Sequence, residues 1–309
     1  MRPLVSLVDL AGFAPGTPIT IARCTASGAI EDCVAGTWPD GRAVAVSDRF
    51  YGASLAKQFT GAALTILVRD GRLDPDQPVA RYLKNLPLWA ADITPRQLAH
   101  HIAGLPAGGA LEAQAPGDWT EDFVSAALVA LPHLVTLPAT SYAYSNLGYI
   151  LLARIVERIS GEPFAAFVHA HLLAPLGIAG MGFARDVTAY PQLAHMGPRL
   201  PLTHGDGGLW STSRAFALWL QQQNQDALGI AEIVEASGRL ANGVGVPYGW
   251  GLGLRTHRGH KLLIHGGEWT GAVAKAVRCP ALGCAVVAMA AGAAFETLDR
   301  LVETALNDV

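Results

Sequence analysis

The sequence is poor in cysteine, poor in charge and without long uninterrupted apolar runs. Its 309 residues include four cysteines, and charged residues make up 15%, with 22 basic against 25 acidic side chains and a formal charge of -3. No block of like charge is present, so the sequence gives no indication of electrostatic binding to nucleic acid or acidic lipid. The composition therefore favours a small-molecule or peptide-like partner, and no pattern indicates an oligomeric state.

Apolar residues supply 51% of the chain, but charges or prolines interrupt each apolar run well before the length of a membrane span. Near the start, Arg2, Pro3 and Asp9 interrupt the segment where a signal peptide would be continuously apolar. We therefore expect a soluble protein of the cytoplasm that has no membrane partner.

The four cysteines form two close pairs, Cys24 with Cys33 and Cys279 with Cys284, each on the two arms of a predicted hairpin. Their spacing permits disulfides between adjacent strands, but the lack of an export signal favours reduced, half-buried thiols. They do not have the Cys-x-x-Cys spacing and nearby histidines that zinc requires. We predict no metal and no cofactor.

Strand patterns occur near both ends of the chain, and helical patterns occupy the middle. The N-terminal part is predicted as strand and turn, with strands at 19–25 and 43–46, and the segment after Asn242 as short antiparallel strands. Apolar residues at helical spacing predict a helix from Leu55 to Asp70. Further helices are predicted over 95–101, 120–131, 146–160, 163–174, 214–223 and 295–306.

This order of elements predicts an α/β (α+β) fold. An antiparallel sheet flanked by helices is assembled from both termini, residues 1–60 and 243–309, and an all-helical domain, residues 61–242, is inserted between them. The active site is expected where the two parts meet. The loops 107–138 and 186–207 are expected to form the substrate wall, and their composition suggests an apolar acyl group.

Ser54 and Lys57 form a Ser-x-x-Lys motif at the start of the helix predicted from Leu55. A hydroxyl and an amine one helical turn apart can act together as nucleophile and proton acceptor. Alone the motif is weak, since it occurs about once by chance in a chain of this length, and Ser54 would also suit a helix N-cap.

Three further stretches strengthen the motif. They are 96–105 (RQLAHHIAGL), Tyr144-Ser145-Asn146 and His265-Gly266-Gly267, and Gly207 to Thr212 adds a fourth. Together, in this order, the motifs resemble the serine β-lactamase-like superfamily, which contains class C β-lactamases, penicillin-binding carboxypeptidases, D-aminopeptidases and related esterases.

The resemblance implies roles for the residues that match. Ser54 would be the nucleophile at a helix N-terminus, and Lys57 would point toward the same space. Tyr144 would accept or relay the serine proton, which requires a phenol whose pKa is lowered below ~10 by nearby cations such as Lys57. Asn146 would bind Lys57 and a substrate amide or carbonyl.

The C-terminal motif would complete the site. The oxyanion would lie between the backbone N–H groups of Ser54 and Glu268. Where many penicillin-recognising members carry Lys-Thr-Gly, this chain has His265-Gly266-Gly267, so a permanent cation becomes a titratable one and a hydroxyl is lost. These two groups would hold a substrate carboxylate in the β-lactamases.

We therefore predict a serine hydrolase that cleaves ester or amide bonds through a Ser54 acyl-enzyme. Its rate should fall at acid pH as Lys57, Tyr144 and His265 change charge. A β-lactamase, D-Ala carboxypeptidase or D-aminopeptidase on the same residues is the alternative. Lower alternatives are an α/β-hydrolase, because Gly52 to Ala56 nearly matches Gly-x-Ser-x-Gly, and a non-catalytic relative that binds peptidoglycan or a protein partner.

Overall fold

The computed structural model describes residues 2–115 and 117–308. Its helices are α1 (Leu4–Leu10), α2 (Lys57–Arg69), α3 (Val79–Tyr82), α4 (Pro95–Ala99), α5 (Glu121–Val129), α6 (Asn146–Ser160), α7 (Phe164–Val168), α8 (Ser213–Asn224), α9 (Ala231–Val234) and α10 (Phe295–Asn307). Its strands are β1 (Ile19–Cys24), β2 (Ile30–Ala35), β3 (Phe50–Tyr51), β4 (Met181–Phe183), β5 (Leu209–Ser211), β6 (Gly238–Arg239), β7 (Gly245–Val246), β8 (Gly253–His257), β9 (His260–Trp269), β10 (Ala272–Cys279) and β11 (Cys284–Ala291). Short 3-10 turns lie at Ala53–Ala56, Leu88–Ala91, Glu112–Gln114, Ala174–Leu176, Pro191–Ala194 and Pro280–Leu282, and a short π-helix lies at His169–Leu173.

The main sheet has six strands in the order β2-β1-β11-β10-β9-β8. Each neighbouring pair is antiparallel, and β1 pairs with β11 from Ile19 opposite Ala290 to Cys24 opposite Ala285. The two ends of the chain therefore build one sheet, which confirms the predicted fold class. An antiparallel sheet also rules out the α/β-hydrolase alternative, which needs parallel strands.

Both faces of the central strands are covered by helices. Helix α10 packs on β10 and β11, helix α1 packs on β2 and α10, and α8 packs against β1 and β11. All residues of β1, β10 and β11 are buried. Strands covered on both faces have near-continuous apolar sequences instead of strict alternation, as β11 has.

Helices α2 and α6 pack against each other beside the sheet. Lys57 is the first residue of α2 and Asn146 is the first residue of α6. This packing brings the N-terminal ends of the two helices together. The two-domain division at 61–242 stays a prediction, and α8, which lies within that range, packs on the sheet.

Two local predictions were wrong. The segment predicted as N-terminal strand and turn contains helix α1, whose buried residues Leu4, Leu7 and Val8 recur at helical spacing. Residues 43–46 form a loop, because the Asp48 carboxylate accepts a hydrogen bond from the Ala45 N–H.

All four cysteines are free thiols in the structure. Cys279 lies opposite Cys284 across β10 and β11, whereas Cys33 lies opposite Ile21 and not opposite Cys24. Within residues 2–115 and 117–308, no helix is both long enough and apolar enough to cross a membrane. The cytoplasmic location stays a prediction.

Candidate active site

Ser54 lies in the 3-10 turn Ala53–Ala56, which continues directly into α2. The Ser54 Oγ accepts a hydrogen bond of 2.9 Å from Lys57 Nζ. Ala53, the residue before the serine, has a φ of 45°, in the left-handed region that residues other than glycine rarely adopt. Such strain persists where the surrounding fold fixes the backbone, and it is concentrated at functional sites.

Lys57 is completely buried, and each of its three ammonium N–H groups has an acceptor. Besides Ser54 Oγ, Nζ donates to Asn146 Oδ1 at 2.7 Å and to the Asp206 carbonyl at 2.9 Å. Burial lowers the Lys57 pKa to about 8, although the carboxylates of Asp206 and Glu112 act in the opposite direction. A neutral amine is therefore accessible near physiological pH.

Asp206 accepts a hydrogen bond from Lys57 through its backbone carbonyl, and the sequence analysis did not identify it as a site residue. Its buried carboxylate accepts hydrogen bonds from Thr203 Oγ1 at 2.8 Å and from Trp119 Nε1 at 3.2 Å. Burial raises the Asp206 pKa to about 6, and the Lys57 charge limits that increase. An acidic residue between glycines, in Gly205-Asp206-Gly207, was the available signal.

Tyr144 lies beside Lys57, but its pKa differs from the expectation. Lys57 Nζ is 5.0 Å from the centroid of the Tyr144 ring. Burial raises the pKa of Tyr144, and the nearby Ser54 hydroxyl only partly opposes this. The predicted lowering of the Tyr144 pKa was wrong, because burial and the carboxylates of Asp206 and Glu112 all disfavour the phenolate. Tyr144 is a neutral phenol.

Asn146 is held at both ends of its amide. Its Oδ1 accepts from Lys57, and its Nδ2 donates to Glu112 Oε1 at 2.6 Å. Glu112 thus fixes the orientation of the amide, since only this orientation satisfies both partners. Nδ2 has a second N–H that can donate a hydrogen bond to a substrate in the cleft. Glu112, which lies on the loop of the predicted substrate wall, was not singled out in the sequence.

His265 is buried in β9, where both ring nitrogens have partners. Its Nδ1 lies 2.6 Å from the Gly266 carbonyl, and its Nε2 lies 2.8 Å from the Tyr248 hydroxyl. A carbonyl only accepts, so Nδ1 carries the proton and Nε2 accepts from Tyr248. Burial lowers the His265 pKa to about 3. The prediction that His265 is a titratable cation was wrong, because its ring stays neutral from pH 5 to 9.

Strand β9 lies directly against the Ser54 turn. A Cβ added to Gly267 would be 3.2 Å from Ser54 N and would collide with the Gly52 carbonyl. Only glycine therefore permits this approach, which brings the next residue, Glu268, to the cleft beside Ser54. The structure thus places Ser54 and Glu268, the two residues whose N–H groups are the predicted donors, at one cleft.

The cleft has a volume of about 640 Å³ and brings together seven of the eight predicted site residues at its surface. These are Ser54, Tyr144, Asn146, His265, Gly266, Gly267 and Glu268, with Lys57 buried behind them. The charged side chains that line it are Glu112 and Glu268. In the described part of the chain, no group of three His, Cys, Asp or Glu side chains could hold a metal ion.

A second cavity of about 400 Å³ adjoins the cleft and shares Glu112 and Trp269 with it. It also contacts Trp119 and Arg199. Of the predicted wall, the loop 107–138 contributes Gly108, Gly109 and Glu112 to the cleft, and the loop 186–207 contributes to this adjoining cavity.

Curated proteins with related sequences include two kinds of bacterial protein. A D-aminopeptidase of Brucella anthropi is 27% identical over 275 residues, which cover 82% of this chain and 52% of that one. A penicillin-binding protein of Bacillus subtilis (strain 168) is 28% identical over 148 residues, 44% of this chain and 31% of that protein. The chain thus spans about a third to a half of the length of these relatives.

Solved structures share the fold along nearly the whole chain. A D-amino acid amidase from Ochrobactrum anthropi SV3, complexed with L-phenylalanine, has a TM-score of 0.80 at 22% identity, covering 99% of this chain and 98% of that chain. A penicillin binding protein from Bacillus halodurans has a TM-score of 0.80 at 19% identity, covering 97% and 98%. The family model described as Beta-lactamase matches residues 35–307. This chain therefore belongs to the beta-lactamase family.

Proposed function

We propose that the chain is a serine hydrolase that cleaves amide or ester bonds through an acyl-enzyme on Ser54. Three observations support this: membership of the family, the 2.9 Å contact between Ser54 Oγ and Lys57 Nζ, and the cleft that opens onto the serine. A non-catalytic relative would have no need for a buried lysine whose pKa is lowered to about 8.

Lys57 acts as the base in its neutral form. Asn146 Oδ1 and the Asp206 carbonyl accept the two protons that a neutral amine keeps, so its lone pair faces Ser54 Oγ. Lys57 takes the proton from Ser54 as Oγ bonds to the substrate carbonyl carbon. Tyr144, a neutral phenol beside Ser54, relays a proton and does not serve as a phenolate base.

The oxyanion that forms is stabilised by the N–H groups of Ser54 and Glu268. When the tetrahedral intermediate collapses, the bond to the leaving amine or alcohol breaks, and that group departs with the proton. The acyl group remains on Ser54. Water then attacks the acyl carbon and gives its proton to Lys57. Collapse of the second tetrahedral intermediate releases the carboxylic acid and free Ser54.

The charge of the cleft favours substrates that carry a positive group. Its charged lining consists of Glu112 and Glu268, while His265 is neutral and the N–H groups of Lys57 are all used within the protein. Among the described residues that line the cleft itself, a substrate carboxylate would face two carboxylates and no cation with a free N–H group, and Arg199 lies in the adjoining cavity. We therefore propose an amidase, esterase or aminopeptidase for substrates with a free amine near the scissile carbonyl, in preference to a β-lactamase or carboxypeptidase.

The catalytic part of the proposal is tested by labelling. A fluorophosphonate should add to Ser54 in the wild-type protein, as measured by intact mass and peptide mapping, and Ser54→Ala should remain unlabelled. A wild-type protein without an adduct would contradict the hydrolase assignment and favour the non-catalytic alternative.

The substrate part is tested with matched pairs. A D-aminoacyl p-nitroanilide and its N-acetylated form differ only in the amine, and we expect kcat/KM to be at least about tenfold higher for the free amine. Nitrocefin should be a poor substrate. Glu112→Gln keeps an acceptor for Asn146 and should reduce this preference, because only the Glu268 charge then remains. A wild-type preference for the acetylated compound would refute the proposed specificity.

A further inference from the structure

His101 lies in the stretch 96–105, a motif of the sequence to which neither the cleft lining nor the proposed chemistry assigns a role. The residue is 2% exposed and has a φ of 58°. Histidine is one of the few residues other than glycine that is enriched in this left-handed region. The backbone strain and the burial show that the surrounding structure fixes this residue in one position.

Tyr144 is held by His101 from three directions. The Ala143 N–H donates to the His101 carbonyl at 2.9 Å, and the Ser145 N–H donates to His101 Nδ1 at 3.1 Å. The residues before and after the tyrosine are therefore both bonded to His101. Its ring also packs on the Tyr144 ring with 4.3 Å between centroids.

Further rings complete the environment of His101. Tyr248 and Tyr149 lie 4.6 Å and 5.0 Å from it between centroids, and Tyr142 makes an edge contact. Because Nδ1 accepts from Ser145, the proton of the neutral ring is on Nε2. Burial lowers the pKa of His101 well below its ordinary value, so the ring keeps its acceptor at neutral pH.

We propose that His101 is a positioning residue, which holds the Tyr144 hydroxyl at Ser54 through the two flanking hydrogen bonds and the ring contact. The inference rests on the proposed function, in which Tyr144 relays the serine proton. Small displacements of such a group are costly, because proton transfer requires hydrogen-bond distances. In the described part of the chain, the His101 ring lies 4.3 Å from the Tyr144 ring between centroids, and the His265 ring lies 6.1 Å from it.

No other side chain reproduces this combination. Asparagine also tolerates a left-handed backbone and supplies an acceptor for the Ser145 N–H, but it has no ring to pack on Tyr144. Phenylalanine packs on Tyr144 but leaves the Ser145 N–H unsatisfied. Comparing His101→Asn with His101→Phe therefore separates the hydrogen bond from the ring contact.

The test is a double-mutant cycle with Tyr144→Phe. The rate of fluorophosphonate labelling of Ser54, measured by intact mass, should fall at least about tenfold in His101→Asn and in His101→Phe. In the Tyr144→Phe background, each His101 substitution should change the rate by less than about twofold, because the hydroxyl that it positions is already absent. Turnover should show lower kcat with KM within about twofold of wild type.

Equal losses in both backgrounds would show that His101 has only a structural role and would overturn the inference. Unchanged labelling in a folded His101→Asn protein would also overturn it. If His101→Asn does not fold by circular dichroism, the same cycle is run with His101→Gln. An inactive wild-type protein would instead contradict the proposed function, so the two failures are distinguishable.

Discussion

The pH dependence of acylation should follow the deprotonation of Lys57. With a pKa of about 8, the neutral amine is roughly a tenth of the population at pH 7 and roughly a hundredth at pH 6. The rate should therefore fall about tenfold per pH unit below pH 7 and level off above about pH 9. His265 contributes nothing in this range, because its pKa is about 3.

Asp206 should determine the pH at which the labelling rate rises, which we call the acid limb of the pH–rate profile. Its carboxylate favours the charged form of Lys57 and so raises the lysine pKa. Asp206→Asn removes the charge and keeps acceptor and size, so the Lys57 pKa should decrease and the limb should move to lower pH. At pH 6 the variant should retain a larger fraction of its own maximal rate than the wild type does. Asp92→Asn, an exposed site, is the control and should leave the limb unchanged.

The assay must avoid a substrate amine, which would titrate in the same range. The rate of fluorophosphonate labelling from pH 5.5 to 9.5 meets this condition, because the reagent has no titrating group. A flat profile would refute the assignment of Lys57 as base. A limb that stays in place or moves to higher pH in Asp206→Asn would refute the electrostatic role of Asp206.

Two further outcomes are expected. Gly267→Ala should lower the labelling rate at least about a hundredfold, because its Cβ would displace the Ser54 turn; a near-normal rate in the folded variant would contradict the close approach of β9. Tyr248→Phe leaves the buried His265 Nε2 without its donor and should lower the free energy of unfolding by about 1–3 kcal/mol in urea titration. No loss of stability would show that another group or water replaces the donor.

Some of this site could be predicted because its residues occur in short motifs. Ser54 and Lys57 are one helical turn apart, and Asn146, far away in sequence, meets Lys57 at 2.7 Å. Helix α6 has the predicted bounds, Asn146–Ser160, since its apolar stripe is continuous and Gly161 follows it. Local spacing and periodicity carry this information.

Other features depend on burial and distant partners, which spacing does not show. Asp206 and Glu112 resemble solvated loop carboxylates in the sequence, yet each contacts the Lys57 environment. The pKa of Tyr144 was predicted in the wrong direction because the sequence shows neither its burial nor the carboxylates of Asp206 and Glu112, all of which raise it. His101 lies in a motif of the sequence, but its contact with Tyr144 exists only after folding.

The pairing of β1 with β11, and the contact of Gly267 with the Ser54 turn, have a consequence for when the proposed active site forms during synthesis. Ser54, Lys57 and Tyr144 are synthesised well before β9, the strand that would complete the proposed oxyanion site. A partly synthesised chain therefore cannot bind the oxyanion, and reactivity toward a fluorophosphonate begins only once the late strands have docked. Hydrolysis would then serve as a direct reporter of complete folding.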